Sequence, residues 1–168
     1  MQFLNVIINW YSKCCACVRW NNILSGSYRL CGGVRQGGVL SCVLFFIYVN
    51  DIIISLRQQG LGCCIGDKFL GCLMYAYDLV LLSSSFYTLQ LIISQCKLSC
   101  EALGLSLSVN KSAVVCVGPA YKHDCVEVKI GDVDMKYVRV IKYLEVHICT
   151  ASKFKLNYDV VKASFLEH

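Results

Sequence analysis

The sequence predicts an α+β fold in which helices pack on one face of an antiparallel sheet. Three segments indicate this fold: an apolar helix from Val39 to Gln59, a strand–turn–strand segment over residues 71–85, and a second helix from Thr88 to Gly104. Helix, hairpin, helix and strand in this order are typical of a sheet covered by helices. The 168 residues are enough for about one domain.

The N-terminal elements are expected to begin as a helix and end as a strand. Residues 2–20 open with an apolar run and continue into WYSKCCACVRW, which mixes aromatic, cysteine and basic residues. SGS at residues 25–27 indicates a turn. The four glycines of YRLCGGVRQGGVLS allow the backbone to approach another molecule closely before the long helix begins, and Gly60 is the expected cap at the end of that helix.

The later elements are shorter. GLGCCIGDKFLG predicts a small hairpin or loop, and the strands GCLMYA and LVLLS then bracket Tyr77 and Asp78. Leu105, Leu107 and Val109 alternate as in a strand that continues into AVVCV. The segments VEVKIGDVDMKYVRV and IKYLEVHI predict further hairpin strands.

The composition is apolar and its positive charge is unevenly placed. Hydrophobic residues make up 57% and charged residues 16% of the chain, against about 45–50% and about 25% in an ordinary soluble domain. The formal charge is +5, and residues 1–50 carry no acid and four cations, Lys13, Arg19, Arg29 and Arg35. This suits an anionic partner such as nucleic acid or lipid headgroups, and a solvated face with a modest charge excess explains it equally well. Residues 121–168 mix both signs and favour no partner.

Cysteine usage and hydropathy bear on the setting of the chain. Thirteen cysteines, an odd number, with no secretory leader at the start favour a reduced, intracellular setting, in nucleus or cytoplasm. Cys14 and Cys17 have CxxC spacing, but no second pair follows at zinc-site spacing. Residues 39–56 have the length of a membrane span, yet Asn50 and Asp51 inside them favour a buried helix, so no membrane is expected.

Asp78 raises the question of a metal site, because a carboxylate at a hairpin tip can hold a divalent cation. Two such cations ~3.5–4 Å apart support in-line phosphoryl transfer, and magnesium prefers exposed oxygen ligands at a rigid point. Aspartate is also a common turn former, so Asp78 by itself leaves both roles open.

Four segments together resemble the reverse transcriptases of non-LTR (LINE-like) retrotransposons. They are GGVRQGGVLS at 32–41, CLMYAYDLVLLS at 72–83, ALGLSLSVNKS at 102–112 and KYLEVHI at 142–148, in the family's order and at about its spacings. The resemblance implies a polymerase palm-like antiparallel sheet, with residues 1–120 as a palm fragment. Residues 121–168 would form a primer-grip-like hairpin and the start of the next segment. It also implies an RNA template, a DNA primer, and Mg²⁺ or Mn²⁺ as the metal.

The resemblance also assigns roles to individual residues. Arg35, Gln36 and Gly37, with Gly38 beside them, would lie along the template and the incoming nucleotide, where Gln36 and the glycine backbone form part of a sugar-binding floor. Lys111 matches a catalytic lysine thought to protonate the leaving pyrophosphate.

Asp78 matches the second aspartate of the family's Tyr-Ala-Asp-Asp box and would be catalytic and metal-binding. Tyr143, Leu144 and Glu145 fall in the primer-grip hairpin.

Several positions depart from the family pattern. Tyr77 stands where the first aspartate of the box is expected, and a phenol with a pKa near ~10 is a poor magnesium ligand at neutral pH. The strand that carries the family's third aspartate would precede residue 1, and Asp51 and Asp67 lie away from the hairpin tip. Cys42 replaces a helix-starting proline, and Glu145 replaces a glycine at a position where positive φ costs other residues.

These departures predict a reverse transcriptase remnant that lacks the first catalytic strand, does not bind its metals productively and is inactive. One alternative is a non-catalytic nucleic-acid-binding module, whose affinity would fall with salt. The other is a membrane-associated or aggregation-prone remnant, because a mean hydropathy of +0.56 and an unpaired strand edge leave apolar surface uncovered.

Overall fold

The computed structural model describes residues 2–35, 37–119, 121–122 and 126–158, and within these ranges the fold is mixed α+β. The helices are α1 (Gln2–Ser12), α2 (Ser41–Gln58) and α3 (Phe86–Ala102), and a short 3-10 helix spans Val109–Lys111. The strands are β1 (Cys15–Ala16), β2 (Arg19–Trp20), β3 (Ile23–Leu24), β4 (Tyr28–Arg29), β5 (Cys64–Ile65), β6 (Lys68–Phe69), β7 (Cys72–Tyr75), β8 (Asp78–Leu81), β9 (Ala113–Val114), β10 (Lys129–Ile130), β11 (Val133–Asp134), β12 (Lys136–Tyr137), β13 (Val140–Tyr143), β14 (Val146–Cys149) and β15 (Lys155–Leu156).

The chain divides into an N-terminal unit, Met1–Phe45, and a C-terminal unit, Phe46–His168. In the N-terminal unit α1 is followed by two antiparallel pairs, β1 with β4 and β2 with β3. Helix followed by strand is the order that the sequence predicted for residues 2–20. The functional division predicted at residue 120 is a different boundary and stays a prediction.

Both long helices end where glycine was expected to end them. Gly60 has a φ of +66° and Gly104 a φ of +68°. After α2 the Gly60 N–H donates to Arg57 O and the Leu61 N–H to Leu56 O, which satisfies the last carbonyls of the helix. After α3 the same pair of bonds recurs. At the other end of α3, Ser85 accepts a hydrogen bond from the Thr88 N–H (3.1 Å), so the helix begins two residues before the predicted start.

The core of the C-terminal unit lies around α3. One cluster joins Ile93 of α3 to Val114, Val128 and Ile130. The α2 side chains of this unit that are 0–1% exposed are Val49, Ile52 and Leu56. Polar contacts fix α3 against its neighbours: Tyr48 Oη donates to Leu103 O (2.6 Å). The Gln90 side chain donates to Lys129 O (3.0 Å) and accepts from Lys129 N (2.8 Å).

Two expectations about the strands were wrong. The sheets are small and separate; six of the seven described sheets are antiparallel, as predicted, but β9 pairs with β12 in parallel, Lys136 opposite Ala113. Residues 105–109 form no strand. Their side chains do alternate between half-buried and exposed, but among the described residues no strand pairs with them. Leu107 and Val109 instead pack against the α3 cluster, so the alternation marked burial rather than sheet pairing.

Among the described helices, α2 is the one with the length and hydropathy to cross a membrane, and 22% of that span is buried within the chain. A core helix passes the same test, so this is weak evidence for a membrane span.

Candidate active site at the Asp78 hairpin

The Asp78 hairpin, formed by β7 and β8, has a two-residue turn. The antiparallel pairs run from Cys72 opposite Leu81 to Tyr75 opposite Asp78, which leaves Ala76 and Tyr77 as the turn. Asp78 is therefore the first residue of β8 and not a turn residue as the strand boundaries had predicted. Its backbone is fixed by the ladder, because residues in register on paired strands hold one another in place.

The two faces of this hairpin have different environments. Cys72 is 5% exposed and pairs with Leu81, whose side chain packs against the α3 cluster. Since side chains alternate along a strand, Tyr75 and Asp78 lie on the opposite face, and both are exposed. The turn residue Tyr77 is 84% exposed. The carboxylate of Asp78 is thus exposed to solvent at one end of the β7–β8 hairpin, whose opposite face packs against α3.

The turn itself is strained. Ala76 has a φ of +49° at the first turn position, where the two-residue turns of the β5–β6 and β10–β11 hairpins have Gly66 and Gly131. A non-glycine residue in this region costs about 1–2 kcal/mol. Strain of this kind is found preferentially at functional sites. The Asp78 hairpin therefore has one structural property of a functional turn that the other two lack.

Tyr143 lies close enough to Asp78 for their charges to interact. Partial burial raises the pKa of the Tyr143 phenol, and the negative charges of Asp78 and then Cys72 raise it further. Tyr143 is the last residue of β13, next to the turn of the β13–β14 hairpin, here the Glu145 hairpin. The structure therefore brings together Asp78 and one residue of the predicted primer grip. Sequence reasoning assigned both residues but missed their proximity, because nothing in their spacing along the chain reports it.

The residues present do not fit a two-metal centre. No group of three or more His, Cys, Asp or Glu side chains that could hold a metal ion occurs among the described residues. Asp67 lies in the turn of the β5–β6 hairpin, and Asp51 is an exposed residue of α2. We therefore derive no chemical step through a metal at Asp78.

Arg35, Gly38 and Ser41 are linked by hydrogen bonds just before α2, in the N-terminal unit. The Gly38 N–H donates to Arg35 O (3.1 Å), the Ser41 hydroxyl donates to the same carbonyl, and the Ser41 N–H donates to Gly38 O (3.1 Å). Arg35 and Gly37 are exposed, so their side chain and backbone face solvent. Gln36 lies outside the described residues. The predicted nucleotide-binding roles of this segment stay predictions.

Lys111 is the last residue of the 3-10 helix and is exposed. The Ser112 N–H and the Lys111 N–H donate to Val109 O and Ser108 O, so the backbone here is ordered by local bonds. Its proposed role as a proton donor stays a prediction.

The Glu145 hairpin turns through two residues with positive φ, Leu144 at +47° and Glu145 at +65°. Both angles positive is the pattern of a type I′ turn, which favours Asn and Gly. Lys142 Nζ lies 2.7 Å from Glu145 Oε2, but both side chains are mostly exposed, so this ion pair contributes little. The positive φ expected at Glu145 is confirmed.

Replacing Glu145 with glycine is expected to stabilise the protein by about 0.5–1 kcal/mol, because glycine adopts this conformation without the steric cost. Urea unfolding of Glu145→Gly and of Glu145→Gln measures it. The Gln variant loses the ion pair and keeps the strained backbone, so its free energy of unfolding should stay within about 0.5 kcal/mol of the unmodified chain. A Gly variant no more stable than the Gln variant would show that the turn is not strained.

Comparison with known proteins identifies the family. Residues 2–148 match the family described as reverse transcriptase (RNA-dependent DNA polymerase), and the chain belongs to this family. A relative is the "Retrovirus-related Pol polyprotein from type-1 retrotransposable element R2" of Nasonia vitripennis, 31% identical over 97 residues. The alignment covers 58% of this chain and 9% of the relative's length. Together the two matches confirm the resemblance to the reverse transcriptases of non-LTR elements that the four motifs indicated.

Proposed function

We propose that this chain is a palm segment of a non-LTR reverse transcriptase that does not catalyse nucleotidyl transfer. The proposal rests on the side chains present at the Asp78 hairpin and on the lack of further metal ligands among the described residues. Asp78 is an exposed carboxylate at the start of β8, the preceding residue is Tyr77, and the described residues hold no cluster of three acids or other metal ligands.

The energetic consequence of this arrangement is large. Metal ions in such polymerases stabilise the charge that develops on the transferring phosphoryl group by several kcal/mol. Each ~1.4 kcal/mol is a tenfold change in rate. One carboxylate beside a neutral phenol cannot replace that charge stabilisation, so any rate is expected to fall by orders of magnitude.

Primer extension on an RNA template, first with magnesium and then with manganese, tests the proposal. We expect no incorporation by the unmodified chain, by Asp78→Ala or by Tyr77→Asp. Asp67→Ala is the matched control, since it removes an exposed acid from the turn of the neighbouring hairpin. The proposal would be overturned if the unmodified chain and Asp67→Ala incorporated nucleotides and Asp78→Ala did not. Incorporation by Tyr77→Asp alone would show that Tyr77 by itself accounts for the inactivity.

A second candidate function is nucleic-acid binding without chemistry. The N-terminal unit favours it: none of its four cations takes part in an ion pair with another described residue, and all four are exposed. Arg19 Nη2 donates to Asn22 Oδ1 (3.0 Å), a neutral partner that leaves its charge uncompensated. Binding of an RNA–DNA primer–template should therefore weaken steeply as salt rises. Affinity that is absent at low salt or does not respond to salt would contradict this role.

A further inference from the structure

The C-terminal unit contains an open cleft away from the Asp78 hairpin, here called the Lys122–Arg139 cleft. Its volume is about 720 Å³, within the ~300–1,000 Å³ of small-molecule sites. The side chains that matter for its chemistry are Cys116, Tyr121, Lys122, Tyr137, Arg139 and Thr150. No acid is among its lining residues within the described part of the chain.

The two cations of the cleft are available to a ligand. Lys122 and Arg139 are exposed, and neither takes part in an ion pair with another residue that the structure describes. Lys129, which is not a lining residue, is by contrast held between Glu127 (3.3 Å) and Asp134 (3.4 Å). Within the described residues, the cleft therefore carries two cations without a paired acid, whereas the charge of Lys129 is compensated by its ion pairs.

An aromatic face adjoins this charge. The Lys122 ammonium lies 5.6 Å from the centroid of the Tyr121 ring. The other hydroxyl groups are already engaged, since Tyr137 Oη donates to Val126 O (2.6 Å) and Thr150 Oγ1 to Val138 O (3.0 Å). The ring of Tyr137 also packs edge-to-face on Phe86. A ligand would thus meet two cations and the Tyr121 ring, while Tyr137 and Thr150 form the fixed wall.

The cleft lies at the base of the Glu145 hairpin. Arg139 immediately precedes β13 and Thr150 immediately follows β14, and the Thr150 N–H donates to Arg139 O (2.8 Å). Tyr143 is at the other end of β13. At ~3.3 Å per residue the four steps from Arg139 to Tyr143 span about 13 Å, and none of the described lining residues lies on the Asp78 hairpin, so the cleft is distinct from the candidate active site.

We propose that the Lys122–Arg139 cleft binds a nucleotide unit, with the phosphate held by Lys122 and Arg139 and the base stacked on Tyr121. A nucleotide combines an anion with a π face, which matches a cation pair next to an aromatic ring. The choice of a nucleotide over other anions rests on the nucleic-acid-binding role proposed above. The unit can belong to a single strand or be a free mononucleotide, and the same contacts serve both.

Fluorescence anisotropy with a labelled decauridylate and the full 168-residue chain tests the proposal. The double variant Lys122→Gln/Arg139→Gln is compared with Lys68→Gln/Lys153→Gln, which removes the same charge from exposed positions outside the cleft. We expect the cleft variant to bind at least tenfold more weakly and its log–log salt slope to shrink by about 1.4, the value for two phosphate contacts on a single strand. The control should lose less than about threefold. Circular dichroism verifies that both variants are folded.

Further measurements separate the source of the nucleotide and the role of the ring. If uridine monophosphate displaces the labelled decauridylate, and does so less well from the cleft variant, the ligand of the cleft is a free mononucleotide. If uridine monophosphate does not compete, the ligand is part of a single strand. Tyr121→Leu should weaken binding about tenfold and leave the salt slope unchanged, because stacking contributes ~1–3 kcal/mol per base and carries no charge. Unchanged affinity in this variant would overturn the stacking contact.

The failures of the two proposals can be told apart. Equal losses in the cleft variant and its control would overturn the cleft and leave general, salt-dependent binding intact. No binding of decauridylate or of the primer–template by the unmodified chain at 50 mM salt would overturn both.

Discussion

Raising the pH from 9 to 12 is expected to destabilise the C-terminal unit by about 4 kcal/mol through one buried thiol, Cys96, at ~1.4 kcal/mol per pH unit. The Cys96 side chain lies on α3 and is 0% exposed. Burial, together with smaller effects of the neighbouring Cys72 and Cys100, raises its pKa from the ordinary 9.0 to about 12. Burial also raises the pKa of Cys72, on β7, to about 11. These thiols lie where α3 covers the inner face of the Asp78 hairpin.

The direction of the effect follows from which state releases the proton first. In the unfolded chain the thiol ionises near 9, while in the folded chain it stays protonated until about 12. Between these values the unfolded state binds fewer protons, so the free energy of unfolding falls as the pH rises. The stabilisation is complete below pH 9 and is lost by about pH 12, and Cys72 adds a similar loss between pH 9 and about 11.

Urea unfolding at pH 8, 10 and 11.5 measures the effect in the unmodified chain, in Cys96→Ala and in Cys64→Ala. Lysines and tyrosines titrate in the same range in all three proteins, so the difference between variants isolates the one thiol. Cys64 is exposed on β5 and serves as the control. The Cys96→Ala protein should lose markedly less stability with pH than the other two. Parallel pH profiles for all three would show that Cys96 is not a buried, protonated thiol.

The predictions that succeeded rest on local chemistry. Gly60 and Gly104 end their helices through hydrogen bonds among residues that are neighbours in sequence. The hairpin at residues 72–81 was also predicted, although its turn lies one residue earlier than expected. Helix α3 begins two residues before its predicted start, because Ser85 caps it there, and α2 begins two residues after its predicted start. Where the controlling contacts lie within a few residues, the sequence contains enough information to predict the element.

The features that sequence reasoning missed depend on distant contacts. The parallel pairing of Lys136 with Ala113 and the proximity of Tyr143 to Asp78 arise from packing between segments far apart in the chain. The cleft was missed for a related reason. Residues 121–168 mix both charge signs, and in the structure Lys129 pairs with two acids while Arg139 has no ion pair with a described residue. The roles of all the site residues, Asp78 and Tyr143 included, were assigned by resemblance and stay predictions.

The second large effect is expected at Gly71, which immediately precedes β7. A β-carbon added there would lie 2.7 Å from Gly62 Cα and 2.7 Å from Phe69 Cε2. Distances this short require the structure to move, and overpacking of this kind costs about 1–3 kcal/mol. Gly71 is also buried, and its carbonyl accepts from the Leu82 N–H (2.9 Å), which continues the β7–β8 ladder. Gly71→Ala should therefore destabilise the protein and displace the hairpin that carries Asp78.

The free energy of unfolding in urea tests this expectation against Gly26→Ala. A β-carbon at Gly26 would have no heavy atom within 4 Å, and its φ is not positive, so this control should be neutral or gain about 0.4–1 kcal/mol. In a Phe69→Ala background, Gly71→Ala should still be destabilising, because removing the ring leaves the contact with the Gly62 backbone in place. Equal stability of the Gly71 and Gly26 variants would show that the two glycine backbones do not approach this closely. Full recovery in the Phe69→Ala background would instead assign the whole cost to the ring, and Gly62 would then have no part in positioning the Asp78 hairpin.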